Sequence, residues 1–355
     1  MSEVFVCGCG AVSPAGWGVL PLLEALKRGE PLPAKDLPRP GWAPSALRVR
    51  SVPAPSPRPA FLTHARLRRA SPIAHHAVAA ALEAIGEPTL DPRPSTLDPP
   101  SRLGIILCVM SGCVNYSRRF YDETWKNPAT ASPLVFPETV FNAPASHIAA
   151  VLGTTAINYT LVGDPGTFLQ GLALAGDWLL TERVDGCVVI GAEEMDWLTS
   201  DAFRLFSRRV IVADGAGAVY LRREPNREPA VALRAISQSH LFCKSGSRTQ
   251  AAMAARAEVN SEDQSSLLCD GLQGVAHIDC PEEKAWRDWP GPRLSAKKVL
   301  GEGLMAAAAW QCIAAIDALQ RRACSAATVS IVGCNQQAIA AQFDLASSPR
   351  TFEPT

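Results

Sequence analysis

Apolar residues along the chain fall into two rhythms. Short apolar runs bounded by Gly, Pro, Asp or Ser occur at Val4–Cys9, Leu103–Val109, Asn158–Val162, Gly186–Ile190, Val231–Ile236 and Thr328–Val332. Their length and β-branched content predict buried strands. Asp214–Leu221 reads as a Gly/Ala-rich turn that runs into another strand. Longer stretches follow a helical spacing. His64–Ile85 carries an alanine face (Ala74, Ala77, Ala80, Ala81) suited to close packing, and Ser146–Leu152, Thr167–Leu180 and Val299–Leu319 also read as helices, with a further helix starting at Leu20–Leu26. Residues 31–60 are rich in Pro, Arg and Ala with no sustained period and read as a surface loop. Residues 244–266 read as polar and irregular. Strands alternating with helices predict an α/β fold with helix-covered sheets. The strand–turn–helix at the start recurs around 158–180 and near the end, so the chain reads as two similar halves, residues 1–230 and 231–355.

Composition narrows the function. The 355 residues are 47% hydrophobic and 19% charged, an ordinary globular balance. Lys plus Arg and Asp plus Glu both number 34. Zero net charge argues against a nucleic-acid partner and leaves little self-repulsion against association with another protein. No apolar run approaches the roughly 18 residues of a membrane span. Met1–Val6 lacks a basic stretch ahead of an apolar run, so the expected location is the cytoplasm. The eleven cysteines then read as free thiols, several of them within apolar runs. Cys7 and Cys9 share one strand face, but no second Cys/His pair at zinc spacing follows, so no metal is expected. No cofactor fingerprint, Walker lysine motif or Gly-x-Ser-x-Gly elbow is present.

Two junctions carry candidate chemistry. At Tyr159–Thr167 a strand meets a helix through Gly163-Asp164-Pro165-Gly166. Such a turn presents its residues at a helix N-terminus, where backbone N–H groups favour a thiolate or an oxyanion. Here it offers Asp164, which also suits an N-cap, and Pro165, which suits a first helical position and cannot attack. The second junction is Ser295–Gly303, with Lys297, Lys298 and Glu302. Lys297 can tune a neighbour or hold a carboxylate; Glu302 can also be a plain dipole partner. Of the six histidines (His64, His75, His76, His147, His240, His277), none pairs at chelating spacing, and only His277, two residues before Asp279, suggests a dyad.

Several segments together resemble the β-ketoacyl synthases, which have the thiolase fold. Val6–Gly18 is similar to the family's "TGIGAVSPLGWG" opening. Pro133–Pro137 and Asn142–Ala149 resemble the segment before the nucleophile. Asp185–Glu193 is similar to "DxVLVGGAE", Asp214–Val219 to "EGAGAVVLE", and Ser295–Gly303 to the "K-x-x-x-G-H" region. The departures matter most. A condensing member needs a Cys nucleophile and two histidines. Aligned on Tyr159-Thr160, the Cys position falls on Pro165. The "HGTGT" loop is missing: Asp279-x-x-Glu282 resembles the motif after it, yet Gly271 stands eight residues before Asp279. Lys297 holds the lysine position, but Glu302 replaces the second His. The C-terminal "GFGG-x-N" loop is altered to Gly333–Gln337, and the chain is shorter than typical members, chiefly between 240 and 280.

The resemblance therefore implies a thiolase-like fold of two halves with mixed sheets in αβαβα layers, and a subunit that does not condense by itself. It implies a chain-length factor of a type II polyketide system, of the shortened aryl-polyene kind. Such a subunit pairs with an active β-ketoacyl synthase, meets acyl carrier protein through the complex and shapes the acyl tunnel, with Phe136, Phe141 and Asn142 as interface or tunnel candidates. Core burial is the plainer role for the two phenylalanines. The alternative is an enzyme with a rewired site, in which Asp164, Lys297 and Glu302 converge for acyl transfer, decarboxylation or hydrolysis and Cys113 or Cys334 supplies a thiol. A carrier-docking scaffold without a tunnel role is a third reading.

Overall fold

The computed structural model describes residues 3–41, 46–86, 102–259 and 265–346. Its main sheet repeats one pattern twice. In chain order the first half contributes strands Val4–Ser13, Leu103–Val109, Asn158–Val162, Gly186–Glu193 and Gly215–Arg222. In space the edge strand is Asn158–Val162, followed by 103–109, 186–193, 215–222 and 4–13. The second half contributes Val231–Ile236, Leu267–Asp270, Arg293–Ser295, Ala326–Val332 and Gln337–Leu345 in the corresponding spatial order, with Arg293–Ser295 at the edge. The strand senses repeat too: the three strands nearest each edge are parallel and the next two antiparallel. The halves join where Val4–Val6 pairs antiparallel with Val231–Leu233.

Period-two alternation builds the layers. In Leu103–Val109, residues Leu103, Ile105, Leu107 and Val109 pack outward against helices Pro72–Ile85 and Ala143–Leu152, while Ile106 and Cys108 face inward. In the second half Ala338 and Ala340 face the outer helices Ser245–Glu258 and Ala276–Ala285, while Ile339, Ala341 and Phe343 face inward. Both inward faces meet a central layer of two helices, Thr167–Leu180 and Met305–Gln320. A strand buried on both faces must be apolar throughout, and this is why these runs show no polar alternation. Burying so many residues on one core is the dominant favourable term for a chain of this size.

Four sequence expectations change. The excursion at 31–60 is not all loop: apart from residues 42–45, which lie outside the described residues, it forms strands Lys35–Pro38 and Ala46–Arg50, which build a small sheet with Val212–Ala213. The helix expected from His64 starts only at Pro72, after two 3₁₀ turns, because a proline fits the first helical turn but not a helix interior. Residues 244–259, expected to be irregular, contain helix Ser245–Glu258, which buries Ala251, Ala252 and Ala255 under the second half of the sheet; 260–264 lie outside the described residues. The single helix expected at Val299–Leu319 is two, Ala296–Leu300 and Met305–Gln320. Gly301 sits at φ 97°, where a side chain is strained, and Glu302 leaves the helical path to bridge Val212: its N–H donates to the Ile211 carbonyl and its carbonyl accepts from Ala213 N–H, both at 2.9 Å.

Candidate functional site

The strand Asn158–Val162 feeds helix Thr167–Leu180 through the turn that the sequence singled out. Pro165 is buried there and precedes the cap residue Gly166, so it lies just outside the helix and not at its first position. Asp164, 3% exposed, is not a helix cap. Its carboxylate crosses to the C-terminal loop and accepts the backbone N–H groups of Gln336 and Gln337 (both 3.2 Å) and the Cys334 Sγ–H (3.3 Å). Gly333 permits this contact, because a methyl at that position would overlap the carboxylate. The turn that would present a nucleophile instead ties down the altered Gly333–Gln337 loop.

The second junction lies opposite. Lys297, on the short helix Ala296–Leu300, places Nζ 2.8 Å from Glu302 Oε2, and both residues are buried. The break at Gly301 turns Glu302 toward this lysine. Burial alone pulls the Lys297 ammonium down, but the Glu302 carboxylate more than offsets it and holds the group above its ordinary value. Glu302 Oε2 also accepts from Gln273 Nε2 at 2.6 Å, and Oε1 accepts Leu304 N–H at 2.9 Å. All its directed contacts are therefore met within the protein.

Asp164, Lys297 and Glu302 do converge, with their charges acting on one thiol, that of Cys334. That thiol is not activated. Burial and the two carboxylates push it well above the usual thiol range, Lys297 offsetting only part. Cys113 is held up to about 12, chiefly by burial, and its Sγ lies 3.5 Å from the Val140 carbonyl. Between Glu302, Gln273 and Cys334 the enclosed space is about 40 Å³, lined also by Phe203, Phe206 and Arg248.

His277 and Asp279 form no dyad. His277 Nε2 meets the Phe206 carbonyl at 3.2 Å, while Asp279 accepts the backbone N–H groups of Gln273, Gly274 and Val275 at 2.8–2.9 Å. Asp279 thus shapes the loop that follows strand Leu267–Asp270. Gln273, in that loop, reaches Glu302. The sequence reading missed it, as it missed Arg248, whose guanidinium donates to the carbonyls of Gly333 (2.9 Å), Val332 and Ile278 (both 3.3 Å). A polar residue in a loop directly after a buried strand was the available signal for Gln273. Arg248 gave none, since its helix was not expected. Among the described residues no group of three or more His, Cys, Asp or Glu is placed to hold a metal, and no helix is long and apolar enough to cross a membrane.

The interface candidates are on the surface. Phe136 is 55% and Phe141 44% exposed, and Asn142 is exposed too. The plainer core role for the two aromatics is therefore overturned. They lie beside helix Val114–Lys126, which has no buried residue: Phe120 meets Phe136 with ring centres 5.4 Å apart, and Tyr121 stacks on Trp125 at 6.2 Å. Acidic residues after strand Gly186–Glu193 anchor this helix. Glu193 accepts Met110 and Ser111 N–H, Glu194 accepts Asn115 and Ile73 N–H, and Asp196 pairs with Arg118 at 2.9 Å.

Burial pushes Glu193 up to about 8 and Glu194 up to about 7, although the N–H donors pull both back. A carboxyl whose folded pKa lies above its ordinary 4.5 binds its proton more tightly in the folded state. That stability is fully present below the ordinary value and is lost as pH rises through the folded one. The urea midpoint is expected to fall as pH rises from about 4.5 to about 8, with Glu193→Gln flattening the slope. A midpoint that climbs over that window would contradict the assignment.

The comparisons agree with this architecture. The family described as "Beta-ketoacyl synthase, N-terminal domain" matches residues 1–225. No curated protein sequence matches the chain. Solved structures match over almost the whole chain at low identity. A β-ketoacyl synthase from Burkholderia phymatum superposes with a TM-score of 0.78 at 15% identity, covering 98% of this chain and 100% of that one. The ishigamide ketosynthase/chain length factor gives 0.77 at 18%, covering 97% and 100%. The ketosynthase ApeO in complex with its chain length factor ApeC, from Xenorhabdus doucetiae, gives 0.76 at 15%, covering 97% and 98%. With its duplicated mixed sheet, its buried central helix pair and a family match over more than half its length, this chain belongs to the β-ketoacyl synthase family.

Proposed function

We propose that this protein is a chain-length-factor-like subunit, which pairs with an active β-ketoacyl synthase and shapes its acyl tunnel without condensing by itself. The observation that carries the reading is the turn at Gly163–Gly166. It offers Pro165 where a nucleophile belongs, and its one ionisable side chain is committed to the Gly333–Gln337 loop. Residues that act as a catalytic unit lose most of their effect when a member is missing, and here the thiol and both imidazoles are replaced.

The surface supports a partner. Strand Asn158–Val162 is the sheet edge of the first half, and Tyr159 (48% exposed) and Val162 (54%) on it are each about half exposed. Phe136, Phe141, Leu134 and Trp125 are exposed as well, the last 80%. An open sheet edge and exposed aromatics are each features that association covers, which supports a partner. Two of the matched structures are described as ketosynthases with a chain length factor, which fits a heterodimer; carrier protein would reach this subunit only through that complex. We take the site of action to be the cytoplasm and the protein to need no cofactor.

Co-expression with the synthase it accompanies tests the reading. Native mass of the purified material is expected to give one copy of each subunit, and Phe136→Ala or Phe141→Ala in that complex is expected to change product length. A homodimer that ignores the synthase would overturn the proposal.

A further inference from the structure

A second cleft, of about 380 Å³, opens on the far side of the Lys297–Glu302 pair. Arg50, Arg209, Lys297, Lys298, Gln273 and Glu302 are among the residues that line it. Arg50 is the unusual member. It ends the strand Ala46–Arg50 and is 7% exposed, yet among the described residues no carboxylate pairs with it. Its Nε donates to the Leu32 carbonyl at 2.7 Å, and its terminal guanidinium nitrogens have no protein acceptor. Another cation, Arg48, acts on it, and Arg48 already has Asp36 at 3.3 Å. Burying a guanidinium with no counter-charge is costly, and proteins retain such an arrangement where a ligand supplies the charge.

The lining charges fix the class of ligand. Glu302 neutralises Lys297, which leaves Arg50, Arg209 and Lys298 as three cations without an acidic partner in the cleft. A guanidinium fork matches carboxylate and phosphate oxygens alike, but three cations favour a dianion over a monoanion. We infer that this cleft binds the phosphate dianion of a small phosphate monoester, with Arg50 as the buried anchor and Arg209 and Lys298 closing over it from the surface. This inference is independent of the partner proposal, because it needs only the isolated chain.

Calorimetric titration with inorganic phosphate and with glycerol 2-phosphate, at ionic strength held constant with potassium chloride, tests it. Saturable one-to-one binding of both probes is expected. Arg50→Met is expected to weaken it at least about tenfold, the loss of a charge-assisted hydrogen-bond pair. The double variant Arg209→Ala/Lys298→Ala changes only exposed side chains. It is expected to weaken binding several-fold while leaving the melting temperature without phosphate unchanged, and it decides the matter if Arg50→Met does not fold. Failure of either probe to saturate, or unchanged affinity in the double variant, would overturn the site. Equal affinity for dimethyl phosphate, a monoanionic diester, would overturn the dianion assignment.

Discussion

Given an acyl thioester and a malonyl thioester, the protein by itself is expected to form no condensation product. Pro165→Cys is expected to leave it there, at least about a thousandfold below a complete synthase. The reason is distributed over the site. A thiol at position 165 would sit beside Asp164, a carboxylate that opposes thiolate formation and cannot swing away without releasing Gln336 and Gln337. The loop after Leu267–Asp270 offers Gln273, and the Lys297 junction offers Glu302, neither of them an imidazole. A thiolate without groups to drive decarboxylation and hold an enolate performs at most the first half of the reaction. Intact mass of the variant after exposure to the acyl thioester, followed by product analysis, checks both halves. Elongated product from the single variant would show that the remaining residues already form a working site.

The Lys297–Glu302 pair gives the second large effect, on stability. Both groups are removed from water, so each depends on the other's charge. Glu302→Gln keeps an acceptor for Leu304 N–H but leaves a buried ammonium unpaired, and is expected to cost about 3–5 kcal/mol. Adding Lys297→Met removes that orphan charge and is expected to recover most of the loss, since a buried ion pair is worth little more than an apolar pair of similar volume. Urea unfolding of the two variants measures the difference. A double variant no more stable than Glu302→Gln would mean that the pair is not the coupled unit its geometry describes. If the pair is a structural brace, the double variant also keeps its native mass with the partner synthase. A rewired acid–base site would instead lose activity in both variants.

Much of the fold was legible in the sequence because burial on both faces leaves a strong mark. Runs such as Leu103–Val109 and Gly186–Ile190 must be apolar at every position when a sheet is sandwiched between helices, and helix Thr167–Leu180 was recognisable from its turn and its period. The candidate site residues were singled out as departures from a pattern: Pro165 and Glu302 stand where the resemblance leads one to expect a thiol and an imidazole. Less was legible where local sequence is neutral. Helix Ser245–Glu258 is polar on its outer face and alanine-rich on its inner one, so nothing in its composition separates it from a loop until the sheet lies beneath it.

Sequence alone, then, determined the buried strands and the α/β class, since each depends on residue type at a position or on local period. Only the tertiary structure decided what the remaining polar groups do. Asp164 finds its partners about 170 residues away in the chain, Glu302 is turned to Lys297 by a break at Gly301 that a backbone bridge to Val212 stabilises, and Phe136 and Phe141 prove to be surface aromatics. Hydrogen bonds, ion pairs and exposure are set by which distant segments the packed core brings together, and that long-range information is absent from any local stretch of residues.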